Sequence, residues 1–261
     1  MTRIEFLTQD DPLYILPLFN EFFRKYSSEF EITQVSCCRT MGSRPRSKLL
    51  KEMLLLYGPL GFCRLATRLT AAKLLSPYPA GRGARRYWSM RQVCRAYGVP
   101  FGQIGSPNES DYIRGLCDRR PDVLVSVACP YILKAPVLRA APMGCINIHH
   151  APLPFYKGMM PTFWQLYNGE QHVGLTVHYV NEKIDEGEPI LQETIPIETG
   201  ESLDHLIRRS KKFGAHCLAR VLHDLPPPRS TPAPVSSEGS YFTFPTPQQI
   251  RNFHRKGLRA I

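Results

Sequence analysis

Two hydrophobic periods alternate along this chain. Short runs of β-branched and apolar residues at Arg3 to Thr8, Glu31 to Cys38 and Pro100 to Ile104 predict strands, and Val123 to Ala128 predicts a buried one. Between them, apolar positions at helical spacing predict helices over Leu13 to Tyr26, Tyr87 to Tyr97 and Glu109 to Asp118, with a short helix at Lys134 to Ala140. This alternation implies an α/β unit that opens as βαβ and carries a mostly parallel sheet. Cys145 to His149 reads as a further buried strand, stopped by the prolines at 152 and 154. Beyond it, Pro161 to Asn168 predicts a helix with proline near its start, and Val173 to Val180 and Ile190 to Ile197 predict two strands. From Ser202 to Leu222 one apolar stripe, Leu203, Leu206, Ile207, Phe213, Cys217, Leu218 and Val221, predicts a core-facing helix.

Two segments fall outside this alternation. From Arg44 to Arg95 the chain holds twelve basic residues and a single acid, Glu52, an excess equal to the whole formal net charge of +11. Within it Ser47 to Ala72 is rich in leucine; the apolar run Met53 to Cys63, bracketed by Lys51 and Arg64, is too short to span a bilayer, and the segment suits a helical pair or an amphipathic surface for an anionic membrane or for phosphates. Arg85 and Arg86, beside Tyr87 and Trp88, form its best candidate patch for a lipid interface or stacked bases. The second segment is the tail. Pro226 to Ser237 reads as a proline- and serine-rich linker, Gly239 to Phe244 as strand-like, and Thr246-Pro247 as the start of a short helix ending near Gly257. The expected organisation is a unit over 1–224 with a basic helical insertion at about 43–86, then a linker and short tail over 225–261.

With 43% hydrophobic and 21% charged residues the composition is that of a soluble globular protein. Met1 to Phe6 lacks a basic leader, and the run Leu13 to Phe19 is broken by Pro17, so neither a signal peptide nor a membrane span is expected. The 8 cysteines show no Cys-x-x-Cys spacing. They are expected as buried thiols of a cytoplasmic protein, without a disulfide frame or a zinc site.

The candidate chemistry lies in Gly144-Cys145-Ile146-Asn147-Ile148-His149-His150-Ala151-Pro152-Leu153-Pro154 and in Ile184-Asp185-Glu186-Gly187. Asn147 and His149 alternate along a strand and so share one face. Asn147-x-His149 with Leu153-Pro154, then Lys157-Gly158 and Pro161, then Asp185-x-Gly187, resembles the 10-formyltetrahydrofolate-dependent formyltransferases, above all the catalytic domains of methionyl-tRNA formyltransferases and sugar N-formyltransferases. The resemblance is densest from Val123 to Leu222. It implies a Rossmann-like formyltransferase fold with helices on both faces of the sheet, 10-formyltetrahydrofolate as formyl donor, and Asn147, His149 and Asp185 as catalytic residues. It also implies a pterin site along Ala128, Cys129, Pro130, Tyr131, Ile132 and Leu133 and along the segment from Val180 through Ile184 to Asp185. The chemistry of the side chains agrees. An amide N–H at Asn147 suits the charge that develops on a formyl oxygen, and His149 beside a carboxylate suits proton transfer near neutral pH.

The sequence also departs from that family. Ala151 stands where a serine is usual, the stretch after Gly187 is one residue longer than the commonest pattern, and Thr8-Gln9-Asp10-Asp11-Pro12 lacks the Gly-Ser-Asn loop of glycinamide ribonucleotide transformylases, which argues against a purine-pathway substrate. The residues after the linker are too few for the C-terminal β-domain that helps methionyl-tRNA formyltransferases hold tRNA. Three functions stay open: transfer of the formyl group to a primary amine of the methionyl-tRNA or amino-sugar type, hydrolysis of the same donor to formate, and a non-catalytic nucleic-acid or membrane-binding module on the same fold.

Overall fold

The computed structural model describes residues 1–39, 46–227 and 239–261. The first residues of the expected insertion and most of the expected linker, Pro228 to Ser237, lie outside the described residues.

The chain opens β1 (Arg3–Gln9), α1 (Leu16–Tyr26), β2 (Glu31–Cys38), and then a long helical segment α2 (Arg46–Leu75). It continues α3 (Met90–Tyr97), β3 (Phe101–Ile104), α4 (Ser110–Arg119), β4 (Val123–Val127), α5 (Ala135–Leu138) and β5 (Cys145–His149). After β5 come β6 (Lys157–Gly158), α6 (Pro161–Asn168), β7 (His172–Tyr179), β8 (Pro189–Pro196), α7 (Leu203–His223), β9 (Tyr241–Phe242) and α8 (Pro247–Arg255). A 7-stranded sheet has the order β3-β2-β1-β4-β5-β7-β8. The five strands from β3 to β5 are parallel, and β7 and β8 join antiparallel. The strand order reverses between β1 and β4, the point at which open α/β sheets leave a crevice for ligands.

Alternation along β4 explains the two layers. Val123, Val125 and Val127 point into a core shared with α1, α3 and α7, while Leu124 points into a second core with Tyr112 and Leu116 of α4 and Val137 of α5. Glu5 of β1 is fully buried in that sheet, and Arg119 at the end of α4 meets it at 2.7 and 2.9 Å, with the Tyr112 hydroxyl at 2.7 Å and that of Ser36 at 2.9 Å. α1 begins three residues later than the hydrophobic pattern suggests. Asp11 Oδ1 accepts the N–H groups of Leu13 and Tyr14, so 11–15 form turns and the helix starts just before Pro17. α3 likewise starts at Met90, where the Ser89 hydroxyl caps the N–H of Gln92.

The segment expected as an insertion is a helical pair. Gly58 (φ 66°) breaks α2 and Pro59 follows, so two helices meet at an angle. Leu56, Tyr57 and Leu65 pack with Phe163 and Trp164 of α6 and with Ile250 and Phe253 of α8 in a third core. Arg68 pairs with Asp204 at 3.0 Å, which ties the second helix to the start of α7. The tail is fastened in the same core: Thr246 and Gln249 form a reciprocal cap on α8, and β9 pairs with β6. Among the described residues no helix is long and apolar enough to cross a membrane.

Two expectations need correction. Cys63 and Cys117 are exposed, so not all the thiols are buried. Tyr87 is not part of an open aromatic patch. It is only 4% exposed and its hydroxyl donates to the Gly81 carbonyl, leaving Arg86 stacked on Trp88 alone, 3.9 Å from the ring centre.

Candidate active site

A cavity of about 690 Å³ opens at the C-terminal edges of β1, β4 and β5, the crevice that the strand order creates. Asn147 and His149 line it from β5, and Asp185 lines it from the loop between β7 and β8. Ala128, Cys129, Pro130, Tyr131, Ile132 and Leu133 form one wall with Val180 and Ile184, so every residue expected at the catalytic and pterin sites lines one space. Ile132 and Ile184 are half exposed at its rim.

The polar groups are locked by a small number of bonds. His149 Nε2 lies 2.9 Å from the Tyr156 carbonyl, which can only accept, so that nitrogen carries hydrogen. The other nitrogen, Nδ1, faces Asp185 Oδ1 at 3.5 Å and is the atom free to gain or lose a proton. Asp185 Oδ2 accepts the N–H of Gly158 at 2.8 Å, which fixes the carboxylate from the side of β6. Asp185 (φ 52°) and Ala128 (φ 53°) both hold left-handed backbone at the cavity wall, a costly conformation for residues with a Cβ.

Gly187 explains why a glycine follows Asp185 at this spacing. A Cβ there would lie 1.5 Å from the Tyr179 carbonyl oxygen, so only glycine lets the loop fold onto the end of β7. Just beyond, at Ile190, the β7–β8 register passes from His178↔Pro189 to Val177↔Leu191, a bulge that accommodates the longer sequence after Gly187. The hydroxyl in the turn after His149 comes from Thr176. It donates to the Ala151 carbonyl at 2.7 Å and accepts the N–H of Leu153 at 3.1 Å.

Sequence reasoning missed His178. It pairs across the ladder with Asn147, so the two side chains share a face, and Asn147 Nδ2 donates to His178 Nε2 at 3.1 Å. His178 Nδ1 lies 2.7 Å from the Tyr179 carbonyl and must carry the hydrogen, which leaves Nε2 as acceptor and the ring neutral. Burial, and then the neighbouring His149, push its pKa down to about 4. The one available signal was its alternation with Thr176 along the strand. Tyr57 from the insertion, Lys211 from α7 and Tyr241 from the tail also line the cavity. Nothing local in the sequence marks them, since they arrive by tertiary packing.

The fold and cavity define an α/β protein with a ligand crevice at the strand-order switch and an amide, imidazole and carboxylate at its centre. A family model described as formyl transferase matches residues 92–222. The chain belongs to that formyl transferase family. It is 34% identical over 145 residues to the methionyl-tRNA formyltransferase of Kosmotoga olearia, covering 55% of this chain and 47% of that protein. It is 32% identical over 158 residues to that of Trichlorobacter lovleyi, covering 59% and 49%. The chain thus spans about half the length of these curated relatives. Among solved structures, glycinamide ribonucleotide transformylase 1 from Symbiobacterium toebii has a TM-score of 0.56 at 18% identity, covering 85% of this chain and 86% of that one. A sugar N-formyltransferase from a Shewanella species has a TM-score of 0.52 at 16% identity, covering 93% and 76%. At those identities the structural matches establish the fold.

Proposed function

We propose that the chain transfers the formyl group of 10-formyltetrahydrofolate to a primary amine, of the methionyl-tRNA or amino-sugar kind. The observation that carries this reading is the convergence of Asn147, His149 and Asp185 on one cavity, with His178 holding the Asn147 amide. One N–H of that amide is engaged by His178, and the second is left to stabilise the negative charge that grows on the formyl oxygen. His149 Nδ1 takes the proton from the amine as its nitrogen bonds to the formyl carbon. The same nitrogen returns a proton to N10 of the donor as the carbon–N10 bond breaks. Asp185 keeps the ring aimed and balances its charge during the exchange. The backbone edges of 128–133 and 180–185 suit the donors and acceptors of a flat pterin ring, and the cavity falls in the usual size range for small-ligand sites, roughly 300–1,000 Å³.

The experiment is to incubate the protein with 10-formyltetrahydrofolate and candidate amines, following tetrahydrofolate and free formate together. Amine-dependent tetrahydrofolate without formate supports transfer. Formate released without any amine makes the chain a hydrolase, and no turnover of the donor refutes the reading.

A contact of the basic segment with tRNA or an anionic membrane extends this proposal. Leu50, Leu54, Leu60 and Leu74 are exposed on α2 together with Lys51, Arg64 and Lys73, an apolar and cationic surface that supports such a partner. Binding to anionic vesicles but not to tRNA, falling steeply with salt, would indicate a lipid-linked acceptor. The reverse would indicate RNA, and binding to neither would remove the extension.

A further inference from the structure

The transfer chemistry leaves one polar cluster of the cavity unused. Tyr14 from the turn before α1, Tyr57 from α2, His150 after β5 and Lys211 from α7 all line it. The Lys211 ammonium makes no hydrogen bond and no ion pair among the described residues. Asp11 is close enough for its charge to favour the ammonium, yet its Oδ1 is engaged by the N–H groups of Leu13 and Tyr14. His150 is 4% exposed and neither of its ring nitrogens has a partner. The Tyr14 and Tyr57 hydroxyls bond each other at 2.8 Å, an arrangement that uses one of their two protons and leaves the second for another acceptor.

Buried polar groups are normally paired, and a ring with both nitrogens unpaired in a cavity wall marks a place where a ligand completes the bonding. The character of the missing group follows from the donors present. An ammonium, an imidazole N–H and a phenol O–H all donate; of the two nearby carboxylates Asp204 is paired with Arg68 and Asp11 accepts the N–H groups of Leu13 and Tyr14, so the cluster suits a group rich in acceptors and negative charge. The ammonium excludes a metal ion at His150, because two cations would share one desolvated space. Burial pushes the pKa of Lys211 down to about 8, against the pull of Asp11, which leaves it mostly charged at neutral pH.

We propose that this cluster is an oxyanion subsite for the amine acceptor: Lys211, assisted by His150 and the Tyr14–Tyr57 pair, holds a carboxylate or phosphate carried by the molecule that receives the formyl group. The inference rests on the formyl-transfer reading and adds a substrate class to it. It also gives the insertion a purpose at the site, since Tyr57 reaches the cavity from α2.

The test is calorimetric titration of the full chain with three small amines that differ in one group: ethanolamine, β-alanine and phosphoethanolamine. At least one anionic amine is expected to bind tighter than ethanolamine by about tenfold or more, the usual effect of a charge-assisted bond. Lys211→Met should remove that preference, and Lys211→Arg, which keeps the charge, should restore most of it. A preference for phosphoethanolamine identifies phosphate as the oxyanion, and one for β-alanine identifies carboxylate. Equal binding of the three amines, no binding of any, or an unchanged preference in Lys211→Met whose melting temperature matches the parent, overturns the subsite. Tetrahydrofolate release from the formyl donor is followed in the same samples. Its absence alongside Lys211-dependent anion binding would overturn formyl transfer alone, whereas its presence without an anion preference would overturn the subsite alone.

Discussion

Replacing Gly187 by alanine should disable the site without unfolding the chain. The added Cβ would lie 1.5 Å from the Tyr179 carbonyl oxygen and 3.1 Å from His178 Nδ1, whereas real contacts do not fall below 3.0 Å, so the loop must withdraw by about 1.5 Å. Asp185 is two residues away and is held by one hydrogen bond to Gly158 and by its approach to His149, neither of which survives such a displacement. A misplacement of about 1 Å at a reacting group lowers turnover by about a hundredfold, and forcing a methyl group into packed structure costs about 1–3 kcal/mol of stability. Gly169→Ala is the matched control. Its φ is positive (82°), which strains an alanine by itself, but a Cβ there meets nothing within 4 Å, so the variant should lose stability and keep its turnover. Single-turnover formation of tetrahydrofolate, with urea melts of both variants, separates the two effects. Turnover of Gly187→Ala within threefold or so of the parent would refute the idea that this glycine positions Asp185.

Three further outcomes are expected. His149→Ala and Asn147→Ala should each lower turnover by about two orders of magnitude or more, as loss of a proton carrier or of an oxyanion donor does, while folate binding measured by fluorescence titration stays near that of the parent. Because His178 takes a proton only near pH 4 when folded but near the ordinary 6.5 when unfolded, its contribution to stability is complete above 6.5 and is lost as pH falls towards 4, by up to about 3 kcal/mol. Burial acts on His150 in the same direction. His178→Gln should therefore flatten the pH dependence of urea midpoints between pH 7 and about 4.5, and an unchanged slope would count against a neutral buried ring. Arg119→Ala leaves the fully buried Glu5 without its ion-pair partner and should cost about 3–5 kcal/mol in equilibrium unfolding, against little for Arg114→Ala, whose pair with Asp111 is exposed.

The parts of this protein that were legible in its sequence are those in which a local pattern carries the information. β5 and α6 run over the predicted residues because each is bounded by its own stop signal, the prolines after His149 and the glycine after Asn168. Asn147 and His149 could be put on one face because strand alternation is a short-range property, and Asp185 was expected beside them from the resemblance of its loop to the family. His178 was hidden inside a strand whose other residues read as core, and its role depends on cross-strand register with Asn147, which no local window contains. Lys211 is not among the apolar residues that mark α7 in the sequence, and its place in the cavity wall comes from the tertiary packing of that helix.

The ladder between β6 and β9 gives the tail an influence that its place in the sequence conceals. Ser240 Oγ accepts the N–H of Tyr156, the residue whose carbonyl holds His149, and the Phe242 carbonyl lies where a Cβ on Gly158 would sit, against the residue whose N–H holds Asp185. A few residues of β9 and just before it thus brace both supports of the His149–Asp185 pair. α8, a few residues further on, also backs the insertion, with His254 reaching the Leu55 carbonyl and Phe253 sharing a core with Leu56. In a chimera with a relative, neither segment can be exchanged by itself. A foreign tail would release His149 and Asp185 together, and a foreign insertion would leave the apolar side of α8 facing water. The two segments form one packed unit, and a substitution in 46–75 at its contact with α8 is expected to need a matching change in 239–261.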